Sequence, residues 1–374
     1  MVRILQVSSA RNMGGGERHL ADLANALSAR GHEVYAALPT SSPLREELSA
    51  LPARNILTAR LSNALDVGSA LALSRLVREH EIEIVHAHLA RDYPLAALAT
   101  KRNRRTKLVL TRHVLFPLNC LHTVTLSHAA RVIAVSSAVE RTLLKQKIFP
   151  ARRITTIPNG IDLRRLDAGL KASDRAAFRR ELKIPHGGTL VGAVGEIKRQ
   201  KGYEDLLRAA ALVARRRADV HFIIAGADAT RAGEHRAALE SLAKEMNLTK
   251  RVHFTGWLDD VAPLLASLDL YVSASHTESF GLSIVEAMAA GLPVVATATE
   301  GAREIIEEGE TGGLLVPVGD GEALSRAVLG LLEDARERAR LGQLAREAAH
   351  ARFSLERMVD ETERVYLEMM NAER

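Results

Sequence analysis

The sequence predicts an α/β protein of two domains, each a parallel sheet wrapped by helices. Three observations carry this expectation. Short Val/Ile-rich runs alternate with amphipathic helical patterns along most of the chain, as parallel strands joined by right-handed crossovers require. At 374 residues the chain is longer than one hydrophobic core usually serves. The alternation breaks at "IPNGIDLRRLD", where Pro158, the turn pair Asn159-Gly160 and a run of charge fall together.

"VRILQVS" reads as a buried strand and "GERHLADLANALSARG" as a helix with Leu20, Leu23, Ala24 and Leu27 on one face, closed by Gly31. "HEVYAAL", "EIVHAH", "KLVLTRH" and "RVIAVS" are further strands, with helical patterns over 66–80, 91–100 and 137–147. Beyond the break come "TLVGAVG", a helix over 203–217, "VHFIIAG", 232–246, "VHFTGW", 260–267, "LYVSAS", 281–290, "PVVAT" and "GLLVP". We expect one Rossmann-like domain over 1–162 and another over 163–354. The last helix, 355–374, has no strand after it and is expected to pack back across the boundary. Ligands of open parallel sheets bind outside the carboxyl ends of the strands. Two such domains facing each other would form a cleft, so the residues just after strands matter most.

Composition excludes several classes. Aromatics are scarce, with Trp257, five Tyr and seven Phe, so stacking surfaces for single-stranded nucleic acid are poorly supplied. The single cysteine, Cys120, excludes an internal disulfide and a cysteine-based metal cluster. "MVRILQVSSA" is too short an apolar run for a signal peptide and no run reaches membrane-spanning length, so a cytoplasmic protein is expected. Charge is uneven. Residues 1–160 hold 22 Lys/Arg against 11 Asp/Glu, a net +11, which leaves −5 for the remainder of the total +6. The two halves therefore suit different partners.

After the first strand, "NMGGGERH" places Gly14 and Gly15 where a backbone can approach a ligand closely, before a helix whose free N–H groups suit an anion. A tight strand-to-helix turn explains the same residues. After "TLVGAVG", the loop "EIKRQKG" carries Lys198, Arg199, Gln200 and Lys201 in succession. Cations there can neutralise a diphosphate without a metal ion, although a solvated loop would look the same.

"HTESFGLSIVEAMAAG" holds Glu278 and Glu286 around a glycine turn. Ser283 and Glu286 have capping-box spacing, but a helix starting at Ile284 would run barely two turns. A helix starting near Phe280 or Gly281, with Gly291 after its end and Pro293 beyond, has a more ordinary length. The N–H groups around Leu282 and Ser283 are then free donors. A diphosphate suits those donors, and carboxylates on either side suit sugar hydroxyls. That combination fits a nucleotide sugar better than phosphate alone.

"ESFGLSIVEAMAAGLPVVAT" resembles the E-x7-E signature of the retaining GT-B glycosyltransferases of family 4, and the resemblance extends over nearly the whole chain. "GGGERHLADLANALSARGHEV" is similar to the family's N-terminal glycine turn, and "IVHAH" to a mid-domain strand. "VIAVSSAVERTLL" and "IPNGID" resemble its approach to the hinge, "GEIKRQKG" its phosphate loop, and "GAREIIEEGETGGLLVPVGD" the end of its second domain. The resemblance implies that Glu278 hydrogen-bonds the donor sugar, Glu286 the ribose hydroxyls, and that Lys201 contacts the diphosphate. It implies a Gly15 N–H on the same phosphates, and a position for His113, in "LTRHV", near acceptor and donor sugar. Two departures stand out. Glu196 occupies the position where the family has arginine, so Glu196 is expected to turn away and Lys198 or Arg199 to supply the cation. "IIAGADA" lacks a second glycine of its loop.

The resulting expectation is a metal-independent, cofactor-free transfer of a hexosyl-type group from a nucleotide diphosphate sugar, with retention of configuration. No DxD motif lies near a strand end, in keeping with cations in place of Mg²⁺. Glu278 is expected to position the sugar rather than attack it, and Trp257 lies where the base would dock. The alternatives are a GT-B epimerase or phosphorylase and a non-catalytic sugar-nucleotide-binding protein. A nucleic-acid module would explain the basic half but not the two glutamates. Finally, "KRNRRTKLVLTR" holds Lys101, Arg102, Arg104, Arg105, Lys107 and Arg112 with no carboxylate, and Leu115, Phe116 and Leu118 follow. A solubilising loop accounts for such a run. So does a footprint on an anionic membrane, which would imply a lipid-linked or lipopolysaccharide-type acceptor at the inner face of the cytoplasmic membrane.

Overall fold

The computed structural model describes residues 1–371 apart from Leu65, Arg104, Ala229 and Arg231, and the backbone alone at Cys120 and Leu121. Residues 372–374 of the expected last helix lie outside this range.

The chain divides into two compact units, one of Met1–Gly160 with the last helix, the other of Ile161–Ser354. The first unit is a parallel sheet of β1 (Arg3–Val7), β2 (Glu33–Leu38), β3 (Ile56–Thr58), β4 (Ile84–Ala87), β5 (Lys107–Arg112), β6 (Arg131–Ala134) and β7 (Ile154–Thr156). Its spatial order is β3-β2-β1-β4-β5-β6-β7. The second unit has β8 (Thr189–Val194), β9 (Val220–Ala225), β10 (Val252–Gly256), β11 (Leu270–Ser273), β12 (Val294–Thr297) and β13 (Gly313–Val316) in the order β10-β9-β8-β11-β12-β13. The central strands are apolar on both faces because helices cover both, so they read as continuous runs rather than alternations.

The register is in step across the first sheet, and in the second it shifts once, between Phe254 and Gly256 of β10. Val7 pairs with Ala37 on one side and Ala87 on the other, and Ala87 pairs with Leu110. The carboxyl ends of β1 and β4 therefore finish level, and β5 runs two residues beyond them. Chain order reverses between β1 and β4 in the first sheet and between β8 and β11 in the second. Those reversals are where loops diverge and leave room for a ligand.

Two three-residue edge strands, β3 and β7, are too short to show a period. The helices Leu163–Ala172, Arg175–Glu181, Glu300–Ile305, Gly321–Glu333 and Ala335–Arg352 also exceed the sequence reading. Several follow one another without an intervening strand, so the alternation that located the others gives no cue for them.

The helix Leu355–Asn371 packs on the helix Gly15–Ala29 of the first unit. Met358, Val359, Val365, Tyr366 and Met369 enter the same core as Ile4, Leu20, Leu23 and Leu27. Glu363 fastens it: Oε2 accepts from Arg30 Nη1 at 2.7 Å, and Oε1 lies 2.7 Å from His32 Nε2. The bond to His32, with Arg30 adding to it, holds the Glu363 carboxyl below its ordinary value of 4.5. A depressed carboxyl contributes stability that is complete above the unfolded-state value and is lost as pH falls through the folded-state value. Glu363→Gln should therefore lower Tm at pH 7, by an amount corresponding to about 1 kcal/mol. The gap to the parent should narrow as melting is followed below pH 4.5. A gap independent of pH would remove ionisation from the role of Glu363.

Candidate active site

In the second unit the β8 loop closes with the 3₁₀ turn Arg199–Lys201 and Gly202, and the helix Tyr203–Arg216 follows. Gly202 has φ +61°, and a Cβ there would collide with the Ala274 carbonyl oxygen. Only glycine combines that left-handed conformation with so close an approach. The contact sets the β8 loop against the loop after β11, and the His276 N–H donates to the Gln200 carbonyl at 2.8 Å. His276 Nε2 lies 2.7 Å from Asp205 Oδ2, a second tie between the same segments.

This joint brings two expected site residues together. Lys201 Nζ donates to Glu278 Oε2 at 2.7 Å, with the side chains 18% and 17% exposed. Glu278 is also 3.4 Å from the Ser275 hydroxyl. Tyr203 donates to the Gly195 carbonyl at 2.7 Å and closes the loop from below. Glu196 points to solvent and pairs with Lys198 at 2.7 Å, both well exposed. Lys198 is thereby engaged, whereas Arg199 has no ion pair among the described residues.

The helix after Glu278 spans Leu282–Ala289, with Gly281 at its N-cap, φ +113° and no side-chain cap. Ser283 is thus inside the helix and cannot be the N-cap of a capping box. Glu286 stands one turn along, half-buried, with contacts of its own. Ile284 and Val285 donate to the Gly281 carbonyl at 3.0 and 3.1 Å, while the N–H groups of Leu282 and Ser283 have no partner among the described residues. Gly291, φ +77°, ends the helix, and Leu292 N–H returns to the Ala287 carbonyl at 3.1 Å. A lysine, a carboxylate and an uncapped helix N-terminus therefore share one end of the sheet.

Phe280 turns its side chain into the core. Its side chain is 2% exposed and packs edge-on against Phe353 at 5.6 Å. What it offers a ligand is backbone alone. Trp257 is 49% exposed, and its indole N–H donates to Asp259 at 3.0 Å.

In the first unit the helix Gly15–Ala29 begins after Gly14, again with no side-chain cap. Gly15 is exposed at the first turn. Gly16, which is not among the expected site residues, lies against His113: a Cβ there would sit 3.5 Å from the His113 ring. His113 follows β5 directly, and its Nε2 is buried without a hydrogen-bond partner among the described residues. Burial, with the neighbouring His19, His86 and Arg112 adding to it, holds its pKa well below the ordinary imidazole value. The ring is neutral at pH 7.

The rings of His19 and His88 stand 4.8 and 5.8 Å from that of His113. Neither was singled out from the sequence. The H-x-H of "IVHAH" was the available signal, since a strand places His86 and His88 on one face.

The basic run corrects another expectation. Arg112 is 5% exposed and its guanidinium donates to the Phe116 carbonyl, so it belongs to the interior. Leu118 is buried as well, whereas Val114 and Phe116 are exposed. Lys101, Arg102 and Arg105 are exposed, and Arg104 lies outside the described residues. The exposed cations precede β5 and the apolar pair follows it, so they flank opposite ends of a strand about 17 Å long at about 3.3 Å per residue. They do not form one patch.

Residues 174–348 match the family described as Glycosyl transferases group 1, and residues 13–165 match Glycosyltransferase Family 4. The chain belongs to the group 1, family 4 glycosyltransferases. It is 28% identical over 316 residues to N-acetyl-alpha-D-glucosaminyl L-malate synthase of Bacillus anthracis, covering 82% of this chain and 80% of that protein. It is 34% identical over 195 residues to the lipopolysaccharide core biosynthesis glycosyltransferase LpsE of Rhizobium meliloti, over 52% of this chain and only 53% of that protein. Anabaena Alr3699/HepE, solved with UDP and glucose, superposes with a TM-score of 0.84 at 24% identity, covering 98% of this chain and 99% of the other. That likeness establishes the GT-B fold of this glycosyltransferase.

The loop geometry predicts that Gly202→Ala lowers Tm and UDP affinity together, at a cost above about 1 kcal/mol. Thermal melting with and without UDP reads both. Unchanged melting would mean that the two loops are not held by the Gly202–Ala274 contact.

Proposed function

We propose that this glycosyltransferase moves a hexosyl-type group from a nucleotide diphosphate sugar to a hydroxyl acceptor with retention of configuration, without a metal ion. The observation that carries the reading is the Lys201–Glu278 pair beside the uncapped N-terminus at Leu282 and Ser283. The positive end of a helix and a lysine suit a diphosphate. Glu278 then exchanges its lysine for the sugar hydroxyls, and Glu286 takes those of the ribose. Arg199 supplies the cation that Glu196 denies the loop, because Lys198 is occupied by Glu196.

In the reaction the bond from the anomeric carbon to the β-phosphate oxygen breaks as the acceptor oxygen bonds the same face. The departing phosphate oxygen takes the acceptor's proton. Lys201 and the helix N-terminus stabilise the charge that develops on the phosphate. His113, neutral and with Nε2 unpaired, orients the acceptor hydroxyl. Gly14 and Gly15 offer backbone to the donor. The likeness to LpsE, a lipopolysaccharide core biosynthesis glycosyltransferase, supports a lipopolysaccharide-type or lipid-linked acceptor.

Glu286→Ala should weaken UDP binding with little change in Tm, and Lys201→Ala should reduce both affinity and kcat. His113→Ala should lower kcat by about 10²-fold or more with nucleotide affinity retained. EDTA should leave transfer intact. A large fall in Tm at unchanged affinity for Glu286→Ala would return that residue to a structural role.

No helix among the described residues is long and apolar enough to cross a membrane. Peripheral contact with an anionic membrane remains part of the proposal, now with two separable components. Co-sedimentation with anionic liposomes should weaken with salt and drop for Arg102→Ser with Arg105→Ser if the basic run binds. It should drop for Phe116→Ser if the apolar loop inserts. Failure to bind at low salt would favour a small-molecule acceptor.

A further inference from the structure

Behind His113 lies a group of imidazoles for which the transfer reaction has no use. His19 on the helix Gly15–Ala29, His88 just past β4 and His113 just past β5 each offer a ring nitrogen, and these nitrogens lie within 4.8 Å of one another. Among the described residues, Nδ1 of His88, Nε2 of His113 and both nitrogens of His19 are buried without a close hydrogen bond, and the Asn159 side chain is the one polar group that acts on His19. Buried polar atoms are normally paired, so three imidazoles whose ring nitrogens converge on one place call for an explanation.

His88 shows how such a group is held. Its Nε2 lies 2.8 Å from Gln6 Oε1, so Nε2 carries the proton and donates, which leaves the Nδ1 lone pair for a ligand. A histidine that ligates a metal is typically fixed in this way, by a carbonyl on its other nitrogen. His86 is different. Its Nδ1 lies 2.5 Å from the Tyr366 hydroxyl and its Nε2 2.7 Å from Thr111 Oγ1, so neither nitrogen is free to ligate. Burial pushes His19 down to about 4 and holds His88 and His113 low as well.

We propose that His19, His88 and His113 bind a borderline divalent transition-metal ion, Zn²⁺ foremost, with the fourth position open to water or an acceptor hydroxyl. Three imidazoles without a carboxylate suit Zn²⁺, Co²⁺ or Ni²⁺ rather than Mg²⁺ or Ca²⁺, which take oxygen ligands. Zinc–nitrogen bonds of about 2.0–2.1 Å require the ligand atoms to draw closer than they stand. The His19 ring, which unlike that of His88 is not fixed by a bond such as the one to Gln6, can rotate to do so. The consequence for activity rests on the role proposed for His113. An ion that takes its Nε2 lone pair removes it from the acceptor, so Zn²⁺ inhibits transfer and a chelator restores it.

The chelator-stripped full chain is titrated with Zn²⁺ by calorimetry and with Co²⁺ by visible absorption. One ion per chain is expected, with the intense d–d bands of low-coordinate Co²⁺. His19→Gln and His88→Gln should each weaken binding at least 10-fold, and Gln6→Leu, which removes only the outer partner, by about 10- to 100-fold. Circular dichroism reports whether each variant folds. Should His19→Gln not fold, His88→Gln and the Co²⁺ spectrum of the parent carry the test. His221 and His253, whose Nδ1 and Nε2 stand 3.2 Å apart in the second unit, are the competing site. His253→Gln should leave binding unchanged. Absence of one-to-one binding overturns the proposal. So does binding that survives His19→Gln and His88→Gln but is lost in His253→Gln. Zinc that binds at the three histidines without slowing transfer keeps the site and removes His113 from the reaction, so the two readings fail separately.

Discussion

The in-step parallel hydrogen-bond ladder is the constraint on which the rest of this protein depends. Parallel pairing forces every connection to cross over, so every strand leaves its sheet on the same side. The reversal of order between β8 and β11 then makes the loops after these two strands neighbours. Lys201 and Glu278 are 77 positions apart in the chain and 2.7 Å apart in space for that reason. The reversal between β1 and β4 does the same in the first unit, where His88, His113 and Gly16 meet.

Backbone packing converts this neighbourhood into fixed geometry. A Cβ at Gly202 would meet the Ala274 carbonyl, one at Gly301 would meet backbone atoms of Phe280 and Glu278, and the Gly301 N–H donates to the Glu278 carbonyl at 3.0 Å. These contacts are between main chains, so they position Glu278 independently of side-chain rotamers. A preorganised site loses little conformational entropy when its ligand arrives. The buried Phe280–Phe353 pair anchors the same loop to the core below.

The two units differ in electrostatic character as much as in net charge. The second presents an ion pair beside a helix N-terminus, charged groups suited to a polyanion. The first presents uncharged imidazoles and an amide at its sheet end, with Gln6 and His88 buried and His113 beside them, and the Arg112 guanidinium turned to the Phe116 carbonyl. Neutral groups in a buried setting suit hydroxyls, which exchange single hydrogen bonds without requiring a counter-charge. The surplus of basic residues in the first half of the sequence does not describe this interior. Lys101, Arg102 and Arg105 belong to the far end of β5.

Much of the architecture was legible in the sequence because parallel α/β chains write their period locally. Apolar runs marked the central strands, Gly31 and Gly291 marked helix ends, and "ESFGLSIVEAMAAG" placed an uncapped helix N-terminus between two glutamates. The edge strands β3 and β7 and the successive helices of 321–352 were not legible, since neither shows an alternation. The residue types of the site were likewise set by the sequence. Which of them touch was decided by the tertiary fold. Spacing in the chain gives no distance between Lys201 and Glu278, cannot turn Arg112 inward or bury Phe280, and cannot separate Val114 and Phe116 from the basic run. Nor can it gather His19, His88 and His113, which come from a helix and two strand ends. Those outcomes depend on strand order and on which side of a sheet a residue leaves, and both are properties of the assembled ladder rather than of any local segment.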